Sequence, residues 1–121
     1  MLAWCRRNGV AVITLGAAGG QTDPTRIEVA DLTRATQDPL LARVRKRLRR
    51  HYGFPRWAGK PFRIEAVFST EPLAYPETLC DADAGPQGLS CAGFGSSMAV
   101  TASFGLVAAS RVIAALTATN D

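Results

Sequence analysis

The sequence predicts a mixed α/β fold: a sheet with one parallel-type strand and antiparallel strands, a basic amphipathic helix, and an apolar C-terminal helix. Three observations carry this. Val10-Ala11-Val12-Ile13-Thr14-Leu15 is a short, β-branched apolar run after Gly9, the pattern of a strand buried on both faces in a parallel sheet. Arg26 to Leu32 alternates polar and apolar, which suits a strand with one solvated face. Leu41, Val44, Leu48 and Tyr52 recur at three- and four-residue intervals behind Asp38-Pro39, which marks a helix with one buried stripe.

Length and composition set the frame. The chain has 121 residues, 47% apolar and 20% charged, with a formal net charge of +4. That is the size of one domain, able to bury a modest core and too apolar for disorder. Three cysteines, Cys5, Cys80 and Cys91, are too few and too oddly numbered for a disulfide scaffold, so a reduced, cytoplasmic setting is expected. No CxxC pair exists, and no metal site is expected.

Taken in order, Met1 to Gly9 reads as the last two turns of a helix. Arg6 and Arg7 suit its C-terminal dipole, and Gly9 suits the left-handed position that follows. The positive residues follow the short apolar run instead of preceding it, unlike a signal peptide. A helix opening without an N-cap is expected to be the remainder of something longer. Gly16-Ala17-Ala18-Gly19-Gly20-Gln21 then forms a small-residue loop at the carboxyl end of the first strand, the edge where open α/β sheets bind ligands. Its spacing fits no phosphate-loop motif. Two readings stand: a tight turn where backbones approach, or the edge of a cleft, with Gly16, Gly19, Gly20 and Gln21 as its cofactor-side residues. Thr22 to Thr25 is turn chemistry, and two strands joined this closely run antiparallel.

The next helix starts at Asp38-Pro39, an N-cap acceptor before a proline at N1, and stops at Gly53. Arg43, Arg45, Lys46, Arg47, Arg49 and Arg50 fill its remaining faces: six of the chain's 14 basic residues within eight positions. No acid lies between Asp38 and Glu65 to pair with them. Such a cluster is a solvated face, a footprint for RNA phosphates, or a contact for anionic lipid. His51 beside these cations reads as a surface residue. Phe54 to Lys60 is expected as an exposed loop, Ile64 to Glu71 as a strand, and Pro72 to Ser90 as a long, lid-like connection.

From Asp83 to Arg111 no charge occurs, and Phe94, Met98, Thr101, Gly105, Ala108, Val112 and Ala115 share a helical stripe. The stretch 93–116 is long enough to cross a bilayer, but its serines and small residues favour a buried helix over membrane contact. Cys91 precedes this helix, where a helix N-terminus lowers a thiol's pKa. It is the one candidate catalytic residue, against the alternative of an inert packed thiol.

Several short motifs occur in a recognisable order: Cys5-Arg6-Arg7-Asn8, Gly19-Gly20-Gln21 with Asp23-Pro24-Thr25, Gln37-Asp38-Pro39-Leu40, Val67-Phe68-Ser69-Thr70-Glu71, and Cys91-Ala92-Gly93-Phe94-Gly95. Together they resemble the C-terminal part of the tRNA threonylcarbamoyladenosine dehydratases, within the ThiF/MoeB/HesA group of E1-like activating enzymes. The resemblance covers nearly the whole chain; Arg56 to Arg63 and Asp81 to Ser90 match least.

The resemblance implies the C-terminal portion of a Rossmann-like E1 fold, residues 1–121 forming one partial domain without its nucleotide-binding half. It implies ATP- and Mg²⁺-dependent activation of the threonylcarbamoyl carboxylate on adenosine 37 of tRNA, then cyclisation. Because the family's phosphate-gripping residues fall upstream of Met1, the isolated chain is expected to bind no ATP productively and to be inactive. Expected partners are tRNA, a second copy in a homodimer, a cysteine-desulfurase sulfur-relay protein, and membrane through 93–116. Two rival functions remain: an E1-like activator of a sulfur-carrier protein, which the missing zinc cysteines disfavour, and a non-catalytic RNA-binding or dimerisation module.

Overall fold

The computed structural model describes residues 1–57, 59–74 and 95–118. Its helices are α1 (Leu2–Arg7), α2 (Pro39–His51) and α3 (Met98–Thr117), and its strands are β1 (Ile13–Leu15), β2 (Ile27–Asp31) and β3 (Glu65–Ser69). The mixed α/β class expected from the sequence is the one observed.

Local signals fix the helix ends. After α1 the chain turns through Gly9 at φ +66°, and the Val10 N–H reaches back to the Cys5 carbonyl at 2.9 Å, the bond that closes a helix with a left-handed glycine. At the start of α2, Asp38 Oδ1 accepts from the Leu41 N–H at 2.8 Å while Pro39 takes the first position, where no donor is needed. Gly53, at φ +70°, turns the chain out of α2.

The sheet order is β1-β3-β2, with β3 parallel to β1 and antiparallel to β2. Leu15 and Val29 both sit opposite Val67. β1 and β2 therefore run in opposite directions, as expected, but they are not neighbours: β3 lies between them. This also corrects the expected burial of β1. An edge strand has one uncovered side, so Val10 and Leu15 are exposed, and the strand buried from its second residue onward is β3. Its alternating side chains serve two cores. Ala66 and Phe68 pack with Ala3, Leu32, Leu41, Leu48, Phe62 and Ile64 on the α1 and α2 side. Val67 packs with Ala18, Val100 and Phe104 on the α3 side.

Two further expectations need correction. Tyr52 leaves the buried stripe of α2: it caps the helix and is exposed, because the chain is already turning at Gly53. In α3 the side chains packed on the sheet are Val100 and Phe104, buried, with Val107 and Ala108 partly buried; of the described members of the expected stripe only Ala108 is among them, while Met98, Thr101, Gly105, Val112 and Ala115 are exposed. A helix made largely of Ala, Ser and Gly has weak amphipathicity, so which face docks is set by where Phe104 meets Val67, not by the sequence pattern. Most of α3 is solvent-exposed, which overturns the expectation of a buried helix; Leu106, Ile113 and Leu116 point outward. By length and composition alone α3 could cross a membrane.

Candidate functional site

The loop after β1 is a tight turn in which four of the six amides are paired. The Gly16 N–H donates to the Val67 carbonyl at 2.8 Å, Ala17 to Asp38 Oδ2 at 2.8 Å, Gly20 to the Gly95 carbonyl at 3.1 Å, and Gln21 to the Ala18 carbonyl at 3.3 Å. Gly19 bridges Ser96, and Gly20 adopts φ +75°. These donors are already engaged, and the Asp38 carboxylate adds negative charge, so the loop is no phosphate cradle. Gln21 is buried, its Nε2 donating to the carbonyls of Glu71 (3.2 Å) and Gln37 (3.5 Å), while Oε1 has no partner among the described residues. Glu71 caps the following turn by accepting from the N–H groups of Thr22 and Asp23, each at 2.9 Å to Oε2. Gly16, Gly19, Gly20 and Gln21 thus come together at the carboxyl ends of β1 and β3, edging whatever lies there.

The six basic residues of α2 do not act as one surface. Arg45 turns inward and donates to the carbonyls of Ala35 at 2.8 Å and Leu32 at 3.4 Å. Burial pulls its pKa below the ordinary guanidinium value, with help from nearby Arg49. Arg49 donates to the Pro55 carbonyl at 3.2 Å and stands 5.1 Å over the Phe62 ring. Both cations therefore brace the fold by covering backbone acceptors, which corrects the reading of all six as one open face. Arg43, Lys46, Arg47 and Arg50 remain, and all four are exposed, as is His51.

Sequence reasoning missed Asp31. Its Oδ1 accepts from the Thr33 N–H (3.0 Å), the Thr33 hydroxyl (2.7 Å) and the Phe62 N–H (3.0 Å), and its Oδ2 from the N–H groups of Arg63 (2.6 Å) and Ile64 (3.3 Å). Arg63 adopts φ +57°, the left-handed region. Burial pushes the carboxyl upward, but the bonds from Thr33, Phe62 and Arg63 outweigh it and hold the pKa below the ordinary 3.8. Also missed was a groove of about 500 Å³ lined by Arg6, Arg7, Lys60 and Arg63, residues that only the fold brings together.

Cys91, the candidate nucleophile, lies outside the described residues, as do Cys80, Phe94 and most of the lid-like connection; Cys5 is buried in α1. Among the described residues, no group of three or more His, Cys, Asp or Glu side chains is placed to hold a metal.

No family model matches the chain. It is 50% identical over 116 residues to the tRNA threonylcarbamoyladenosine dehydratase of Haemophilus influenzae (strain ATCC 51907 / DSM 11121 / KW20 / Rd), spanning 93% of the chain and 43% of that relative. It is 44% identical over 120 residues to the enzyme of the same name from Escherichia coli (strain K12), spanning 93% of the chain and 45% of that relative. Among solved structures it is similar to the E. coli dehydratase in complex with AMP, with a TM-score of 0.79 and 40% identity over 97% of this chain and 42% of that one. The same enzyme in complex with ATP gives a TM-score of 0.78 at 40% identity over the same shares. The chain thus spans less than half the length of the relatives it matches. In sequence and in fold alike, it is homologous to the C-terminal part of the tRNA threonylcarbamoyladenosine dehydratases.

Proposed function

We propose that these 121 residues serve as the C-terminal part of an E1-like, ATP-dependent enzyme that cyclises N6-threonylcarbamoyladenosine at position 37 of tRNA. The observation that supports this most is the combined match to one enzyme: 40% identity with a TM-score of 0.79 over 97% of the chain. A carboxylate is a poor electrophile, and adenylation gives it a good leaving group, so ring closure then proceeds with net loss of water. ATP supplies that activation.

Among the described residues, the loop after β1 does not offer the row of free amides that a nucleotide's phosphates would need. The amides of Gly16, Ala17, Gly20 and Gln21 are spent on Val67, Asp38, Gly95 and Ala18. Nucleotide handling is therefore assigned to the part of the relatives that this chain does not span. This chain's share is to close the sheet beside that site and to present cations toward the tRNA, among them Arg43, Lys46, Arg47 and Arg50 of α2.

A chimera tests this reading. The matching C-terminal part of the E. coli dehydratase is replaced with this chain, and the purified protein is given ATP, Mg²⁺ and tRNA carrying threonylcarbamoyladenosine. The expected product nucleoside is lighter by one water. A folded chimera that binds ATP yet leaves the nucleoside open overturns the proposal.

A further inference from the structure

We propose that the groove between the C-terminal ends of α1 and α2 and residues 53–55 and 60–63 binds the sugar–phosphate backbone of single-stranded RNA, with Trp57 as a stacking platform for an unpaired base. The proposal rests on the tRNA-modifying reading above and names a surface of this chain for its substrate, distinct from the α2 face.

The charge is the first observation. Arg6, Arg7, Lys60 and Arg63 line this groove of about 500 Å³, with Tyr52 and Phe62, and no acidic side chain among the described residues lines it. Asp31 lies near Arg63, but its carboxylate is occupied by backbone N–H groups. Like charges gathered in a concavity repel one another, and a bound polyanion relieves that repulsion while releasing its own counterions.

The groove is also built rather than loosely draped. Arg6 Nε donates to the Phe62 carbonyl at 3.1 Å, fixing that guanidinium. Phe54 and Phe62 meet edge to face at 4.9 Å between centroids, and Arg49 stands over the same Phe62 ring. This gives a rigid apolar floor with cations around it.

Trp57 is the third observation. It is 82% exposed, and its carbonyl accepts from the N–H of the groove residue Lys60 at 3.5 Å. Trp57 does not line the groove itself, but its turn carries the groove cation Lys60, and an exposed indole in the same turn as a phosphate-binding cation is a combination that single-stranded nucleic-acid sites use, because every base offers a π-face. A duplex hides its bases, so stacking selects looped or unpaired RNA.

The test titrates the 121-residue chain with unmodified tRNA, with a fully paired RNA duplex and with a poly-glutamate peptide, at several salt concentrations. Arg7→Glu with Lys60→Glu is expected to lower tRNA affinity at least tenfold and to reduce the salt slope by about 0.7 for each phosphate no longer neutralised. Trp57→Ala is expected to lower tRNA affinity about tenfold with the slope unchanged, and to leave duplex affinity where it was. Arg26→Glu with Arg34→Glu makes the same change in net charge at positions outside the groove, and is expected to move affinity by less than about threefold. Arg7→Gln with Lys60→Gln repeats the groove test with a milder change, and circular dichroism checks that each variant is folded.

Equal losses from the groove and control pairs overturn the proposal. So does a Trp57→Ala effect that is the same for tRNA and duplex, or poly-glutamate binding as tight as tRNA. Cyclisation by the chimera with groove-independent tRNA binding sinks the groove and spares the enzymatic reading. Groove-dependent tRNA binding without cyclisation does the reverse.

Discussion

The carboxylate of Asp38 fills the space that a side chain at residue 16 would need. A methyl group on Gly16 would run into Oδ2 and lie 3.1 Å from Cγ and 3.3 Å from Leu41 Cδ1. The same carboxylate caps α2 through Leu41 and ties down the loop through Ala17. Gly16→Ala is therefore expected to destabilise the chain by about 2 kcal/mol through overpacking. Asp38→Ala is expected to cost about 2 kcal/mol through the lost cap and the orphaned Ala17 N–H. Because the collision disappears with the carboxylate, the double variant should cost clearly less than the two single costs combined. Urea denaturation of the four proteins checks this; simple additivity would mean that the two residues do not share the space.

Asp31 predicts an acid limit. Its carboxyl titrates below 3.8 in the folded chain, held there by the bonds from Thr33, Phe62 and Arg63. A depressed folded pKa contributes stability that is fully present above the unfolded value and is lost as pH falls through the folded one. Asp31→Asn is expected to remove about 1–2 kcal/mol at pH 7, since an amide cannot accept on both sides. The wild-type and variant stabilities should then converge below pH 3.8, measured by denaturation at stepped pH. A gap that stays constant as the pH is taken well below 3.8 would remove the carboxylate from the account.

Within α2, Arg45 and Arg47 look interchangeable in sequence and should behave differently. Arg45→Met keeps the stem but takes the guanidinium donor from the Ala35 carbonyl, while the Leu32 carbonyl keeps only the Ala35 N–H at 3.3 Å. A loss of about 1–2 kcal/mol is expected. Arg47 is exposed, and Arg47→Met should fall within about 0.5 kcal/mol of the parent. Thermal melts of both variants decide it; equal stabilities would return Arg45 to the solvated face.

What the sequence makes legible is local chemistry. Asp38-Pro39 marks the start of α2 and Gly9 the end of α1, because a cap and a left-handed glycine are satisfied by residues only a few positions away. The order of the motifs carries the homology for the same reason: it depends on no long-range pairing. Non-local pairing is what the sequence hides. Nothing in Glu65–Ser69 announces that it lies between β1 and β2, and the inward turn of Arg45 depends on two carbonyls ten and thirteen residues earlier. The glycine-rich loop reads from sequence as a cleft edge or a turn, because the partners of its amides, Val67, Asp38 and Gly95, lie far along the chain. The groove draws on Arg6, Arg7, Lys60 and Arg63, two of which fall in the stretch where the family resemblance is weakest.

The two faces of α3 give the sharpest contrast. Phe104 is buried against Val67 and Val100, while Leu116 is 80% exposed and Ile113 60% exposed, although all three are large and apolar. Phe104→Ala leaves a cavity between helix and sheet and is expected to cost about 3–4 kcal/mol. Ile113→Ser with Leu116→Ser removes apolar surface that the chain does not bury, so stability should change by less than about 1 kcal/mol. Uncovered apolar surface of this kind favours association, and the double serine variant is expected to sediment with less self-association than the parent at equal concentration. A loss of stability from the serine pair comparable to that of Phe104→Ala would mean that the outer face of α3 is packed in solution.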